Sequence, residues 1–190
     1  LRPPSCASEI NGGPIPLGEW EPSRAQPGTL RPFPTRGPEV CDWIEEHCIF
    51  TDRRWVDEPF RLEPWQRQLI YDLFELNPAT GRRRYRWALI GMARKNGKTQ
   101  LMAALALWFL LGEMSADLPN IVVAATSEEQ AGEIFGAAAY MAEYSPTLGQ
   151  ITSVSPSGVI FSLLRPRAKI IRVSSKARTA HGKNISHLIL

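Results

Sequence analysis

Acidic residues run out well before the chain does. No Asp or Glu follows Glu143, so the last 47 residues carry seven basic side chains and no carboxylate. The first 143 residues hold the other 15 basic groups and all 19 acidic ones, a net charge of −4 against +7. That basic end favours phosphate or nucleic acid. A plainer cause is that the sequence stops before its balancing acids. Long apolar runs are also missing. The longest, Leu101 to Leu111, has eleven residues, short of the roughly eighteen that suggest a membrane span, so no membrane partner is expected. The N-terminus lacks the basic-then-apolar pattern of a secretory signal. Cysteine is scarce: Cys6, Cys41 and Cys48 have no metal-ligand spacing. Seven positions apart on an expected helix, Cys41 and Cys48 are too distant for an unstrained disulfide. His47 precedes Cys48, but neighbours on a helix point in different directions, so a reduced intracellular protein without a metal site is expected. No internal repeat is evident.

The remaining composition is that of a folded domain. With 190 residues, 44% hydrophobic and 22% charged, there is enough apolar material for one α/β core. Nine of the sixteen prolines lie in the first 38 residues, and residues 1–37 read as a Pro-rich irregular leader. Since the first residue is Leu and not Met, the native start of translation is expected upstream.

From Pro38 the chain alternates helix-period and strand-period patterns. Val40, Trp43, Ile44, His47 and Cys48 follow helical spacing. A second helix is predicted from Pro64, where proline suits the first turn. Its expected buried stripe is Trp65, Leu69, Leu73 and Leu76, widened by Ile70 and Phe74. A strand is predicted over 85–90, then a glycine-containing loop, then a helix over 97–111 that is apolar on nearly every side. The run 120–126 reads as a parallel strand buried on both faces. Ser127, with Gln130 three residues on, predicts a capped helix to about Tyr144. Further strands are predicted at 159–164, 169–174 and 185–190. This order indicates an α/β fold with a mainly parallel sheet and right-handed crossovers.

The loop Gly91-Met92-Ala93-Arg94-Lys95-Asn96-Gly97-Lys98-Thr99 carries the chemistry. A phosphate cradle needs converging backbone N–H groups, a glycine allowing close approach, a lysine and a helix N-terminus. Residues 91–99 provide these. Lys98 is placed to reach the β- and γ-phosphates, and the Thr99 hydroxyl to hold Mg²⁺. Arg94 and Lys95 add positive charge, and Arg94 can bridge a terminal phosphate bidentately. The usual pattern has a glycine at position 92. Met92 stands there, with Gly91 one residue early, and Gly91 is expected to serve the tight turn. The competing reading is a surface turn that happens to contain Gly-Lys-Thr. Two weaker candidates accompany the loop. Gln66 has an amide able to donate to and accept from an adenine edge, with Trp65 packing nearby. Arg82, Arg83, Arg84 and Arg86 form a basic cluster that suits a nucleic-acid backbone or simply a solvated edge.

Four stretches, in this order and spacing, resemble the phage terminase large subunit of the HK97-like type: "LEPWQRQLIYDLF", "GRRRYRWALIGMARKNGKTQLMAALALWFLL", "VVAATSEEQAGEIFGAAAYMAEYSPTL" and "IIRVSSKARTAHGKNISHLIL". The resemblance covers about residues 38–190. It implies a P-loop NTPase fold of the additional-strand class, with ATP and Mg²⁺ bound at Ala93, Arg94, Lys95, Asn96, Gly97, Lys98 and Thr99. It places Gln66 at the adenine and Arg94, a candidate catalytic residue with Lys98, within the phosphate loop. Where many members have an arginine that reaches a neighbouring subunit's nucleotide, this sequence has His181, so His181, Arg178 or Lys183 is a candidate for that role. The resemblance further implies a motor that packages double-stranded viral DNA into a procapsid. Its partners are the portal protein and the small terminase subunit, and it forms a ring on the procapsid. The setting is the bacterial host cytoplasm, with the protein absent from the mature virion. Family members continue after "HLIL" with an Asp-Glu pair and later a nuclease domain. Residues 38–190 are therefore expected to form a partial ATPase domain, cut before those acids, that binds ATP but hardly hydrolyses it. Competing readings are a helicase- or recombinase-like ATPase fragment and a non-enzymatic prophage remnant that binds portal or small subunit.

Overall fold

The protein is described by a computed structural model over residues 33–52, 54–93, 95–112, 118–174 and 184–190. The chain divides into two compact units, residues 1–42 with 62–92 and residues 43–61 with 93–190. Helix α1 (Gly37–His47) runs from the first into the second. Its Val40, Cys41 and Ile44 are fully buried, as helical spacing requires. Cys41 and Cys48 are buried and not joined by a disulfide, and burial pushes the Cys48 thiol up.

In the first unit α2 (Pro64–Leu73) begins with proline at its first turn. Its inward face matches the predicted one in part. Ile70, Phe74 and Leu76 are buried as predicted, together with Gln66 and Tyr71, whereas Trp65, Leu69 and Leu73 are only half-buried. The reason lies at the helix start. The Gln66 side chain turns back to accept the Glu63 N–H at 2.8 Å, while the Glu63 side chain takes the Gln66 N–H, a reciprocal capping box. Beyond α2 the chain reverses through Asn77 and Gly81 and pairs Leu76 with Arg83.

The strand predicted over 85–90 does not form. These residues are irregular, with Trp87 84% and Leu89 93% exposed. A largely apolar stretch makes a strand only where a neighbour takes up the backbone N–H and C=O groups.

The second unit is a five-stranded sheet ordered β2-β3-β4-β1-β5: β1 (Asn120–Ala125), β2 (Thr152–Ser155), β3 (Val159–Ser162), β4 (Lys169–Ser174) and β5 (His187–Ile189). Strands β4, β1 and β5 are parallel. The pairs β2–β3 and β3–β4 are antiparallel, so the sheet is mixed. Strand β2 went unpredicted because Thr-Ser-Val-Ser has little apolar content. The signal for it is the turn Pro156-Ser157-Gly158, where Gly158 takes a left-handed φ of 75°.

Register puts Ile160, Ile170, Ile121 and His187 side by side on one face, with Arg172, Val123 and Ile189 in the next row. Helices α3 (Lys98–Leu111) and α4 (Glu128–Tyr144) both cover that face. Phe109 of α3 stacks on His187 with ring centroids 4.0 Å apart. On α4, Phe135 lies under the Arg172 guanidinium, and the Ala142 carbonyl accepts from Thr152 Oγ1 at 2.8 Å. On the opposite face Val122 and Ile171 are buried at the centre, while Phe161 and Leu188 are exposed towards the edges.

Helix α3 buries nine residues, including Leu101, Leu105, Leu107, Leu110 and Leu111. It stops at Gly112, where an added Cβ would lie 2.6 Å from the Trp108 ring. Helix α4 starts where predicted. Ser127 Oγ accepts the Gln130 N–H at 3.2 Å, but the Gln130 side chain accepts from Thr126 Oγ1 and does not close a capping box. Ser127→Ala is expected to cost about 1 kcal/mol, since one N-terminal donor of α4 loses its acceptor. Urea unfolding checks this, and an unchanged midpoint would show the cap to be idle.

Candidate nucleotide-binding site

Seven residues, 93–99, link the end of the first unit to the start of α3, and they carry Arg94, Lys95 and Lys98 with no acid. Two left-handed residues shape the turn: Lys95 at φ 66° and Gly97 at φ 73°. Gly91, expected to serve that turn, takes no positive φ and has nothing within 4 Å of where a Cβ would stand. The missing glycine at position 92 is therefore made good further along, by Lys95 and Gly97. A lysine in this region is strained by about 1–2 kcal/mol relative to glycine. The folded loop holds a conformation that its sequence does not favour locally.

Gly97 is the N-cap of α3 and offers no side chain to the first turn. By contrast, α2 begins with a Glu63–Gln66 capping box and α4 with the Ser127 cap. The leading N–H groups of α3 have no acceptor within the helix. They point outwards beside the positive end of the helix dipole, the arrangement that binds phosphate. The Lys98 side chain folds back over the loop, and its Nζ donates to the Ala93 carbonyl at 3.2 Å. Amides and ammonium thus converge on one exposed turn.

Ala93, Lys95, Asn96, Gly97, Lys98 and Thr99 are together by sequence continuity; Lys98 and Thr99 are half-buried and the others exposed. Arg94, Arg178 and His181, with Lys183, lie outside the described residues. Trp65 and Gln66 belong to the first unit, where Gln66 is 3% exposed and occupied in capping α2. Part of the basic cluster is also engaged internally. Arg84 pairs with Glu75 at 2.8 Å and lies over the Phe33 ring, and Arg83 lies over Phe74. Burial lowers the Arg83 pKa. Two residues missed in the sequence sit against the first turn of α3: Gln100 and its hydrogen-bond partner Thr51. Nothing in their spacing, 49 positions apart, announces the pair.

A family model described as the ATPase domain of the terminase large subunit matches residues 64–186. The chain belongs to that family. Within the terminase large-subunit family, the large subunit of Enterobacteria phage HK97 is 34% identical over 148 residues, which are 78% of this chain and 28% of that protein. The crystal structure of the HK97 bacteriophage large terminase matches with a TM-score of 0.67 at 33% identity, covering 80% of this chain and 30% of that one. This chain thus spans less than a third of the length of these relatives. The fold is that of a terminase ATPase domain, an α/β phosphate-loop architecture. Membership sets aside the helicase- or recombinase-like reading. Among the described residues no helix is long and apolar enough to cross a membrane, and no cluster of ligating side chains could hold a metal ion by itself.

Proposed function

We propose that this chain is the ATP-binding part of a viral DNA-packaging motor. The observation that carries the proposal is the open first turn of α3, capped by no side chain and overhung by the Lys98 ammonium, in a terminase ATPase domain. The triphosphate lies along 93–99. Backbone N–H groups meet the phosphate oxygens and Lys98 bridges the β- and γ-phosphates. Arg94 takes a place at the terminal phosphate. Mg²⁺ fits only as part of the nucleotide complex, since Thr99 Oγ1 is the one hydroxyl of residues 93–99 and the described residues contain no acidic cage. When bound, it neutralises charge between the β- and γ-phosphates.

In the longer protein, this domain drives double-stranded viral DNA through the portal into the procapsid. The small terminase subunit supplies the DNA end, and a nuclease domain cuts the concatemer. Subunits form a ring in the host cytoplasm, where one of His181, Arg178 and Lys183 reaches the neighbouring subunit's nucleotide. Hydrolysis requires a carboxylate that orients the attacking water. Residues 144–190 contain none, and Glu128 is turned towards Arg172, 3.8 Å away. A polypeptide of these 190 residues therefore binds Mg·ATP and turns it over far more slowly than an ordinary ATPase.

Calorimetric titration with Mg·ATP, paired with a phosphate-release assay, tests both halves. The expected result is saturable binding with negligible release. Turnover of about 1 s⁻¹ or faster, in the range of working enzymes, would overturn the second half. Absence of binding would overturn the first.

A further inference from the structure

The first turn of α3 lacks a cap but is tethered from the side. Gln100, the residue after Thr99, exchanges two hydrogen bonds with Thr51. Its amide donates to Thr51 Oγ1 in a short contact, and its Oε1 accepts the Thr51 N–H at 3.4 Å. Both residues are half-buried. Thr51 belongs to a loop between Cys48 and Phe60 whose two ends are joined by backbone hydrogen bonds. The Phe60 N–H donates to the Cys48 carbonyl at 2.9 Å and the Phe50 N–H to the Glu58 carbonyl at 2.8 Å, and Ile49 bridges Pro59. Phe50 packs edge-on against Phe60 and tilts towards Trp55. The far side of the loop is fastened to α4, where Tyr140 Oη donates to Asp57 Oδ1 at 2.8 Å. Trp55 sits at the loop's tip, 48% exposed.

A helix start with no cap frays, and small displacements of a phosphate-binding turn cost affinity. Because Gln100 is the third residue of α3, fixing its side chain fixes the rotation of the turn that carries Lys98 and Thr99. We propose that Gln100 is a positioning residue. Through Thr51 it clamps the phosphate-binding turn to the Cys48–Phe60 loop, and the same bond relays nucleotide occupancy to Trp55. This rests on the ATP reading of residues 93–99. Coupling of this kind is reciprocal: a partner that gripped the loop at Trp55 would alter nucleotide affinity as much as nucleotide alters the loop.

The test uses the 190-residue chain, a fluorescent ATP analogue with Mg²⁺ for affinity, and tryptophan emission with unmodified Mg·ATP for the relay. Gln100→Ala and Thr51→Val should each weaken binding about 3- to 10-fold, the effect of one or two hydrogen bonds. The double variant should be no weaker than the worse single one, because both remove the same contact. Thr51→Ser, which keeps the hydroxyl, should restore affinity to within about twofold. Trp55→Phe should bind normally while losing the emission change caused by ATP. Gln100→Ala should lose that change even at saturating ATP, which a merely structural role would not produce. Unchanged affinity and emission in Gln100→Ala, or strictly additive losses in the double variant, overturn the proposal. Failure of the unaltered chain to bind Mg·ATP overturns the underlying ATP reading and the tether with it. Normal binding that weakens in Lys98→Ala but not in Gln100→Ala overturns the tether alone. Thr51→Val leaves α3's sequence intact, so it carries the test if Gln100→Ala does not fold.

Discussion

Lys98→Ala is expected to lower Mg·ATP affinity by about 10- to 100-fold, the loss that follows from removing a charge-assisted contact to phosphate. The ammonium donates to the Ala93 carbonyl across the loop, so it already lies over the turn that would receive the phosphates. Bringing it onto a phosphate exchanges a neutral acceptor for an anionic one, and little reorganisation is needed. The side chain is only half-buried, so truncating it opens no internal cavity and circular dichroism should be unchanged. Lys98→Arg should not rescue binding fully, because a planar fork does not replace a compact ammonium in a tight turn. Titration of the variant with a fluorescent ATP analogue decides the matter. Affinity equal to that of the unaltered chain would remove phosphate binding from this loop.

The second large effect concerns stability. Leu107→Ala is expected to cost about 3 kcal/mol, within the usual range for a buried leucine truncated to alanine. Leu107 is fully buried in the middle of α3, and Ala103, Ala104 and Ala106 around it are too small to move into the space. A domain of this size has a total stability of about 5–15 kcal/mol, so the midpoint of urea unfolding should fall markedly. The same helix presents the phosphate-binding turn, so ligand and core are linked. At a concentration about a hundred times its Kd, Mg·ATP should return about 2.7 kcal/mol. A loss below about 1 kcal/mol would mean that α3 is less closely packed than its burial indicates.

Much of this arrangement is legible in the sequence, for reasons that differ by element. Helix α3 and its loop stand out because eleven apolar residues follow Gly-Lys-Thr directly, and only a core helix satisfies that run. Strand β1 is legible because Ile121, Val122 and Val123 must all be buried. The segment 85–90 differs from its prediction because apolar and aromatic content reports a preference for pairing, not the presence of a partner. The inward face of α2 was legible only in part for a related reason: Gln66 is polar, yet the capping box with Glu63 satisfies its oxygen and lets it sit inside. Strand β2 carries too few apolar residues to register. At the site, Gly97 and Lys98 could be read directly. The left-handed Lys95 could not, because residue type argues against that conformation. The Gln100–Thr51 contact was equally hidden, since it joins residues 49 positions apart and neither belongs to a motif.

The uncapped start of α3 also bears on selectivity. Amides and one ammonium recognise oxyanions and are indifferent to what the anion is attached to. Inorganic phosphate, pyrophosphate, sulfate and the triphosphates of guanosine or cytidine should all compete at this turn, each according to its charge. On the ATP reading, the loop sets how tightly a triphosphate is held, and the preference for one base must come from groups elsewhere in the chain. A site built this way would be held back by its own products, ADP and phosphate, unless something other than the loop drives them out.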